Sequence, residues 1–416
     1  MTKHHYQNNQ LFLEQVNLED LASTIKTPFY CYSQRQIEQQ YLAYRNNLSG
    51  LDALVCYAVK ANSNQAVIKL LADLGAGADV VTSGELRRAL QAGIPADRIV
   101  YSGVAKTRDD IRLALESDIL QFNVESINEL KLINKVATEL NTSARIALRI
   151  NPDVDAQTHE KISTGKAENK FGIPIQDAPM VYQLAAGMQG IQIQGVDMHI
   201  GSQLTRLTPF RTAFELLLEL VTDLRAAGHP ISHIDVGGGL GINYQEDNGA
   251  PTIADYCQQL SELLSDWDGK VIVEPGRSIV AEAGLLVSSV IYIKEGHERT
   301  FCILDAAMND LARPSIYNAL HNIIPVNESS ESQKYDVVGP VCETGDTFAR
   351  DYTMARLNEG DLVAFTCVGG YGAVMSSTYN TRQLIPEVLI KDDQYHVIRK
   401  RPTYDELIGL DDLPQW

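Results

Sequence analysis

The 416-residue chain has no Cys-x-x-Cys pair; its six cysteines, at 31, 56, 257, 302, 342 and 367, are scattered. That spacing argues against a zinc site or a disulfide framework and for a reducing compartment. No stretch approaches the roughly 20 uninterrupted apolar residues of a membrane helix. The opening segment MTKHHYQNNQLFLEQ has no apolar h-region, so no secretory signal is expected. Basic residues are in deficit, 35 Lys and Arg against 53 Asp and Glu, for a net charge of −18. An acidic surface of this size repels nucleic acid and anionic membranes, which leaves a small molecule as the expected partner and the cytosol as the expected location. Two nucleotide motifs are also missing. "TGKA" has no Ser or Thr after its lysine, and a G-x-G-x-x-G count from Gly237 and Gly239 ends on Ile242. There is no internal repeat and no low-complexity segment.

What is present is an alternation. With 44% apolar and 21% charged residues, the chain has the composition of an ordinary globular protein. Eight apolar runs of strand length occur at 53–61, 77–83, 99–103, 120–126, 145–151, 195–201, 233–240 and 270–276. Between them lie segments such as NQAVIKLLADLG and PFRTAFELLLELVTDLRAAG, with apolar residues at helical spacing. Continuous apolar strands alternating with helices imply a covered parallel sheet, and eight units predict an α/β fold of the (β/α)8 TIM-type barrel class. An open doubly wound sheet is the alternative. After Gly276 the texture becomes strand-like with few helical periods, which predicts a mostly β C-terminal domain over 280–416 beside a barrel over 36–279. The segment 1–35 contains TPFYCYS (27–33), expected to add a strand to the β domain. The polar connection 154–172 is long enough to be a functional loop, expected to close over substrate.

Chemistry in such a barrel gathers at the C-terminal strand ends. Those positions hold Lys60, Asp79, Ser102, Glu125, Arg149, His199, the Gly237–Gly241 cluster and Glu274. Lys60 is either a snorkelling surface lysine or an amine made nucleophilic toward an aldehyde by its surroundings. The DVGGGLG turn is either a tight turn or a cradle whose backbone N–H groups close on a phosphate. Glu274, in EPGR, is either a satisfied barrel carboxylate or a partner for a heterocyclic nitrogen, with Gly276 and Arg277 offering N–H groups to the same phosphate. His199 is either a packed core histidine or a ring stacked on a planar cofactor.

A lysine for an aldehyde, glycines for a phosphate and a carboxylate for a ring nitrogen together describe pyridoxal phosphate. The motifs YAVKAN, LRINP, KFGI, MHIGSQ, DVGGGLG, EPGR, DAAMNDLARPSIY, GPVCETGD and GGYG occur in that order. Over about residues 25 to 405 the chain resembles the barrel-type, alanine-racemase-like pyridoxal-phosphate-dependent decarboxylases, and within them the diaminopimelate decarboxylases. The resemblance implies that Lys60 is the Schiff-base lysine and His199 the residue stacked on the cofactor ring. It implies that Gly239, Gly276, Ser202 and Tyr371 grip the phosphate, that Glu274 faces the pyridine nitrogen, and that Asp79, Arg149 and Arg277 belong to the cofactor site. Racemases of this fold carry arginine at the Glu274 position, so glutamate favours decarboxylation. Cys342 matches the proton donor, which in this family reaches the site from the neighbouring subunit and so implies a homodimer with shared sites. Arg277, Arg313, Tyr317, Glu343 and Tyr371 match substrate-binding positions. Related ornithine decarboxylases have Asp after that cysteine. Glu343 together with two arginines suits a tail bearing both carboxylate and ammonium, which implies meso-diaminopimelate as substrate, L-lysine and CO2 as products, and the last step of lysine biosynthesis. Another basic amino-acid decarboxylase, and a cofactor-binding or inhibitor-like module without activity, are the rival readings. Thr344 stands where many relatives have Ser, with little effect expected. No metal is expected.

Overall fold

The computed structural model describes residues 4–156, 164–165, 168–245 and 249–416. The chain forms two compact units. One runs from Glu38 to Ile279 apart from a short excursion around Tyr244; the other joins the N-terminal segment through Ile37 to Val280–Trp416.

In the first unit eight strands pair in parallel: β1 (Ala53–Ala58), β2 (Gly77–Val80), β3 (Ile99–Tyr101), β4 (Gln121–Val124), β5 (Ala144–Asn151), β6 (Ile191–Asp197), β7 (His233–Asp235) and β8 (Lys270–Val273). The register of β8 against β1, Val271 opposite Ala53, closes the ring and excludes the open doubly wound sheet. All eight expected strands are there, but most end before their apolar runs do. β1 stops at Ala58, three residues short of the run's end, and β7 at Asp235, five short. The residues beyond leave the ladder to build the loops at the barrel mouth. β6 begins four residues upstream of the reading, because Gln192 and Gln194 break the apolar run there and a bulge lies between Ile193 and Gly195.

The connecting helices start on side-chain caps that the sequence carries at the right spacing. Thr107 and Thr252 form capping boxes with Asp110 and Asp255, and Asn64, Thr82 and Ser126 cap three more helices. The barrel interior is filled. Hydrogen bonds join β4 to β7, which are not neighbours in the ring: His233 Nδ1 donates to Gln121 Oε1 at 3.1 Å and Asn123 Nδ2 to Asp235 Oδ2 at 3.1 Å. Cys56, Val100 and Ile272 pack together with Leu54 and Leu120.

The second unit is mostly β. Its larger sheet runs Thr347–Ala355, Ser332–Val338, Thr300–Leu304, Gly284–Glu295, Phe29–Ser33, Glu387–Lys391, Gln394–Arg399, with Leu362–Phe365 bridging Gly284–Glu295 to Ile323–Pro325. The strand Phe29–Ser33, fully buried, lies between strands from the far end of the chain. Its core joins Leu11, Leu13, Leu18 and Phe29 to Leu285, Val287, Val388 and Ile390. Two features differ from the sequence reading. The ARPSIY segment, in the region read as strand-like with few helical periods, contains the short helix Arg313–Tyr317, with Pro314 in its first turn where the missing N–H costs nothing. Thr347–Ala355 is a strand that its central Arg350 and Asp351 concealed. Of the 154–172 connection, residues 157–163 and 166–167 lie outside the described residues, nine of the nineteen in the expected closing loop. Thr164 donates from its backbone to Ile200 O at 3.1 Å and from Oγ1 to His199 O at 3.1 Å.

A buried ion pair braces the barrel wall. Lys106 Nζ donates to Glu129 Oε1 (2.7 Å), Gly103 O (2.8 Å) and Asn123 O (2.7 Å), and both charged side chains are almost wholly buried. Burial pushes the Glu129 carboxyl up, and Lys106 opposes that shift. Lys106→Ala strands a buried carboxylate, so urea unfolding should report a loss of about 3–5 kcal/mol, with most of it recovered in Lys106→Met/Glu129→Leu. A loss below about 1 kcal/mol for Lys106→Ala would mean the pair is solvated.

Candidate active site

Lys60 sits in a 3-10 turn, Val59–Ala61, immediately after β1. Its side chain is 40% exposed and its Nζ donates to Asp79 Oδ2 at 2.5 Å. The lysine is therefore two residues beyond the buried strand, with its head at the barrel mouth and its charge matched by a carboxylate. Asp79 is fully buried, held by the register that sets Ala58 beside it, and its Oδ1 has no hydrogen-bond partner among the described residues.

Three more carboxyls end neighbouring strands. Asp197 closes β6, Asp235 closes β7 and Glu274 follows β8; all are buried, and one oxygen of each lies within 4.8 Å of the others. So many acids in one interior cannot all ionise cheaply. Burial pushes the Glu274 carboxyl well up, reinforced by Asp235, Asp79 and Asp197 and opposed by Lys60. Burial also raises Asp235, to about 7, against the Gly237 N–H and the Asn123 amide. Asp197 rises through burial and Asp235, with Arg149 opposing.

Arg149, at the end of β5, donates from Nη1 to Glu125 Oε1 at 2.7 Å, and its guanidinium lies 4.9 Å from the centroid of the Phe171 ring. Burial alone would favour its neutral form, but Glu125, Asp197 and Glu274 outweigh that and raise its pKa. Glu125 also accepts the N–H groups of Gly103 (3.2 Å) and Gly172 (2.9 Å). His199 accepts the Gly238 N–H at Nδ1 (3.2 Å), which leaves the proton of the neutral ring on Nε2. Burial, then Arg149 and Lys60, keep its pKa well below the ordinary range, so the ring is neutral near pH 7.

The Gly237–Gly241 turn is a built concavity. Gly239 has φ +108, and a Cβ there would stand 2.4 Å from Gly201 O. A Cβ on Gly238 would meet Glu274 O at 2.2 Å. The turn is laced to the 201–204 segment, Leu204 N donating to Gly239 O (3.0 Å) and Gly241 N to Leu204 O (2.9 Å). Ser202 Oγ accepts from Arg277 Nη2 at 3.0 Å, and Gly276 packs so closely that its Cβ would lie 2.9 Å from the Ala61 Cβ. Lys60, Asp79, Arg149, His199, Ser202, Gly239, Glu274, Gly276 and Arg277 thus share one end of the barrel.

The remaining candidates belong to the second unit. Cys342 is exposed, so it is not the small buried hydrophobe that a free cysteine more often is. Glu343 accepts a hydrogen bond from the Tyr379 hydroxyl. Arg313 is buried, 4.2 Å over the Tyr244 ring and 2.9 Å from His321 Nε2. Tyr317 ends the Arg313–Tyr317 helix, and Tyr371 adopts φ +57. Asp346, four residues past Cys342, fixes that turn by accepting the N–H groups of Val341 and Met308 at 2.7 Å each.

The sequence reading missed Gln121, Asn123, Asp197 and Asp235. Its signal was present in LQFNVES, where the polar residues 121, 123 and 125 alternate along one face of a strand that must be buried on both sides.

Comparison with known proteins agrees with this arrangement. The family described as "Pyridoxal-dependent decarboxylase, pyridoxal binding domain" matches residues 34–281. A diaminopimelate decarboxylase of Pseudomonas aeruginosa is 50% identical over 412 residues, 99% of either chain. Among solved structures, the diaminopimelate decarboxylase of M. jannaschii in complex with L-lysine has a TM-score of 0.95 at 38% identity, covering 99% of this chain and 98% of its own. That of Helicobacter pylori, also with L-lysine, has a TM-score of 0.92 at 44% identity, covering 95% and 99%. The chain belongs to the diaminopimelate decarboxylase family of pyridoxal-dependent decarboxylases.

Proposed function

We propose that the protein removes CO2 from meso-2,6-diaminopimelate to give L-lysine, using pyridoxal phosphate. The observation that carries this reading is Glu274, a buried carboxyl crowded by three other acids and placed in the same barrel mouth as Lys60 and a glycine turn. A site with this surplus of acid fits a group bearing a protonated ring nitrogen, and a turn with no room for Cβ atoms fits a phosphate. The unpartnered Oδ1 atoms of Asp79 and Asp197 fit a polar group from outside the protein.

When bound, pyridoxal phosphate supplies the electron sink that accepts the bonding pair as CO2 leaves. Lys60 is the covalent anchor for its aldehyde, and Asp79 holds the lysine head in place. Glu274 keeps the proton on the ring nitrogen. His199, held neutral, offers a flat face to the ring without adding charge. Gly239, Gly276, Ser202 and Tyr371 hold the phosphate, and Arg149 balances the acids beneath. Cys342 delivers the proton to Cα. Arg277, Arg313, Tyr317, Tyr371 and Glu343 read the distal amino-acid head, the arginines taking its carboxylate and Glu343 its ammonium. Residues 280–416 contribute the interface of a homodimer with shared sites, 1–35 supply a strand to that domain, and the enzyme works in the cytoplasm. No helix among the described residues is long and apolar enough to cross a membrane.

Three outcomes follow. Purified, cofactor-loaded protein should release CO2 from meso-diaminopimelate and not from L-ornithine, L-lysine or L-arginine. Release from ornithine would keep the decarboxylase and discard the two-headed substrate, and silence with all four would favour the binding-module reading. Gly239→Ala forces a side chain into a strained φ against Gly201 O, so cofactor affinity measured by equilibrium dialysis should fall about 10- to 100-fold; a change under about twofold would remove Gly239 from the phosphate site. Mixing the inactive Lys60→Ala and Cys342→Ala proteins should restore about a quarter of wild-type activity, the share expected from random exchange of subunits in a dimer with shared sites. No recovery after verified subunit exchange would mean each site is built from one chain.

A further inference from the structure

We infer that Asn123 is a positioning residue that sets where the proton between Glu274 and the cofactor's ring nitrogen resides. This rests on the proposed cofactor and goes beyond the residues assigned to it. Asn123 is completely buried in β4 and is fixed at both ends. Its backbone carbonyl accepts the Lys106 ammonium at 2.7 Å, and its side-chain Oδ1 accepts Gln121 Nε2 at 2.8 Å. Gln121 Oε1 in turn accepts His233 Nδ1 at 3.1 Å. Each amide in this chain has its oxygen turned toward His233 and its nitrogen turned toward the acids. The orientation of Asn123 is therefore determined by its neighbours.

Its Nδ2 faces three acceptors: Asp235 Oδ2 at 3.1 Å, Ser102 Oγ at 3.2 Å and Glu274 Oε1 at 3.3 Å. The Ser102 hydroxyl also donates to Glu274 Oε1, at 3.4 Å. Both donors thus converge on one oxygen of Glu274, Oε1. They also favour the ionised carboxylate in a site where Asp79, Asp197 and Asp235 press it to stay protonated, while Lys60 and Arg149 help to ionise it. Without the amide, Glu274 becomes the stronger base of the pair. The shared proton then moves from the ring nitrogen to the carboxyl, and the ring loses electron-withdrawing power.

The test uses holoenzyme reconstituted with ring-15N pyridoxal phosphate. In Asn123→Leu, the 15N resonance should move toward that of an unprotonated ring, and kcat should fall about 10- to 100-fold, the equivalent of one hydrogen bond to a charged group. KM should stay within about twofold, since the substrate does not touch Asn123. Ser102→Ala, which removes the other donor to the same oxygen, should shift the signal in the same direction by less. A 15N resonance unchanged from wild type in Asn123→Leu, whatever its activity, overturns the inference. If that variant does not fold, an unchanged resonance in Ser102→Ala overturns it. A wild-type protein that carries no cofactor on Lys60 would instead overturn the functional reading.

Discussion

Four carboxyl groups, those of Asp79, Asp197, Asp235 and Glu274, share the interior of one barrel end, and the protein supplies few cations to meet them. Lys60 lies at 2.5 Å from Asp79 and Arg149 at 4.0 Å from Asp197. Asp235 and Glu274 instead share an amide. Like charges in a water-poor interior repel strongly, so this arrangement is stable only if protons or a bound cation make up the difference. That constraint links the two functions of the site. Under the proposed function, the excess of acid in this interior is what would retain a proton on a pyridine nitrogen, and a ring held in that form is the stronger electron sink.

The division of labour along each strand follows from the same requirement. Inside the ladder, backbone groups are satisfied by neighbouring strands and the side chains are fixed; just past it, N–H groups and side chains become available. Lys60 leaves the ladder two residues after β1 ends, Glu274 one residue after β8, and the glycine turn two residues after β7. The chemistry is thereby held by rigid elements without consuming their hydrogen bonds. Gly239 shows how little slack remains: a single Cβ would overlap the Gly201 carbonyl, so only glycine lets these two loops pack this closely.

Much of this was legible in the sequence, for a physical reason. A strand buried on both faces must be apolar throughout, so eight such runs separated by helical periods announce a barrel. The polar residues that interrupt the runs at their C-terminal ends mark the mouth, which is how Lys60, Asp79, Arg149, His199 and Glu274 could be named. The lumen was less readable. Gln121 and Asn123 lie in a strand whose remaining residues are apolar, and their function depends on partners from β7 and β8 more than a hundred residues away. Local pattern carries no information about which inward-facing residues meet across a closed ring. The same limit hid the Arg313–Tyr317 helix, whose five residues are too few for a period.

The acid cluster also explains why charged residues lie behind the barrel wall, where apolar packing would be simpler. Lys106 bonds Glu129; Glu129 Oε2 accepts the backbone N–H of Glu125 at 3.0 Å; Glu125 bonds Arg149; and Arg149 faces Asp197. Signs alternate at the charged ends of this chain, so each buried charge has an opposite neighbour, and the last link delivers a cation to the most crowded part of the site. With Glu125 bonded at 2.7 Å and Asp197 left at 4.0 Å, the guanidinium is committed elsewhere and only partly offsets the cluster. The buried pairs at the back of the barrel therefore leave each of the four charges with an opposite neighbour, which offsets part of the desolvation cost of burying them.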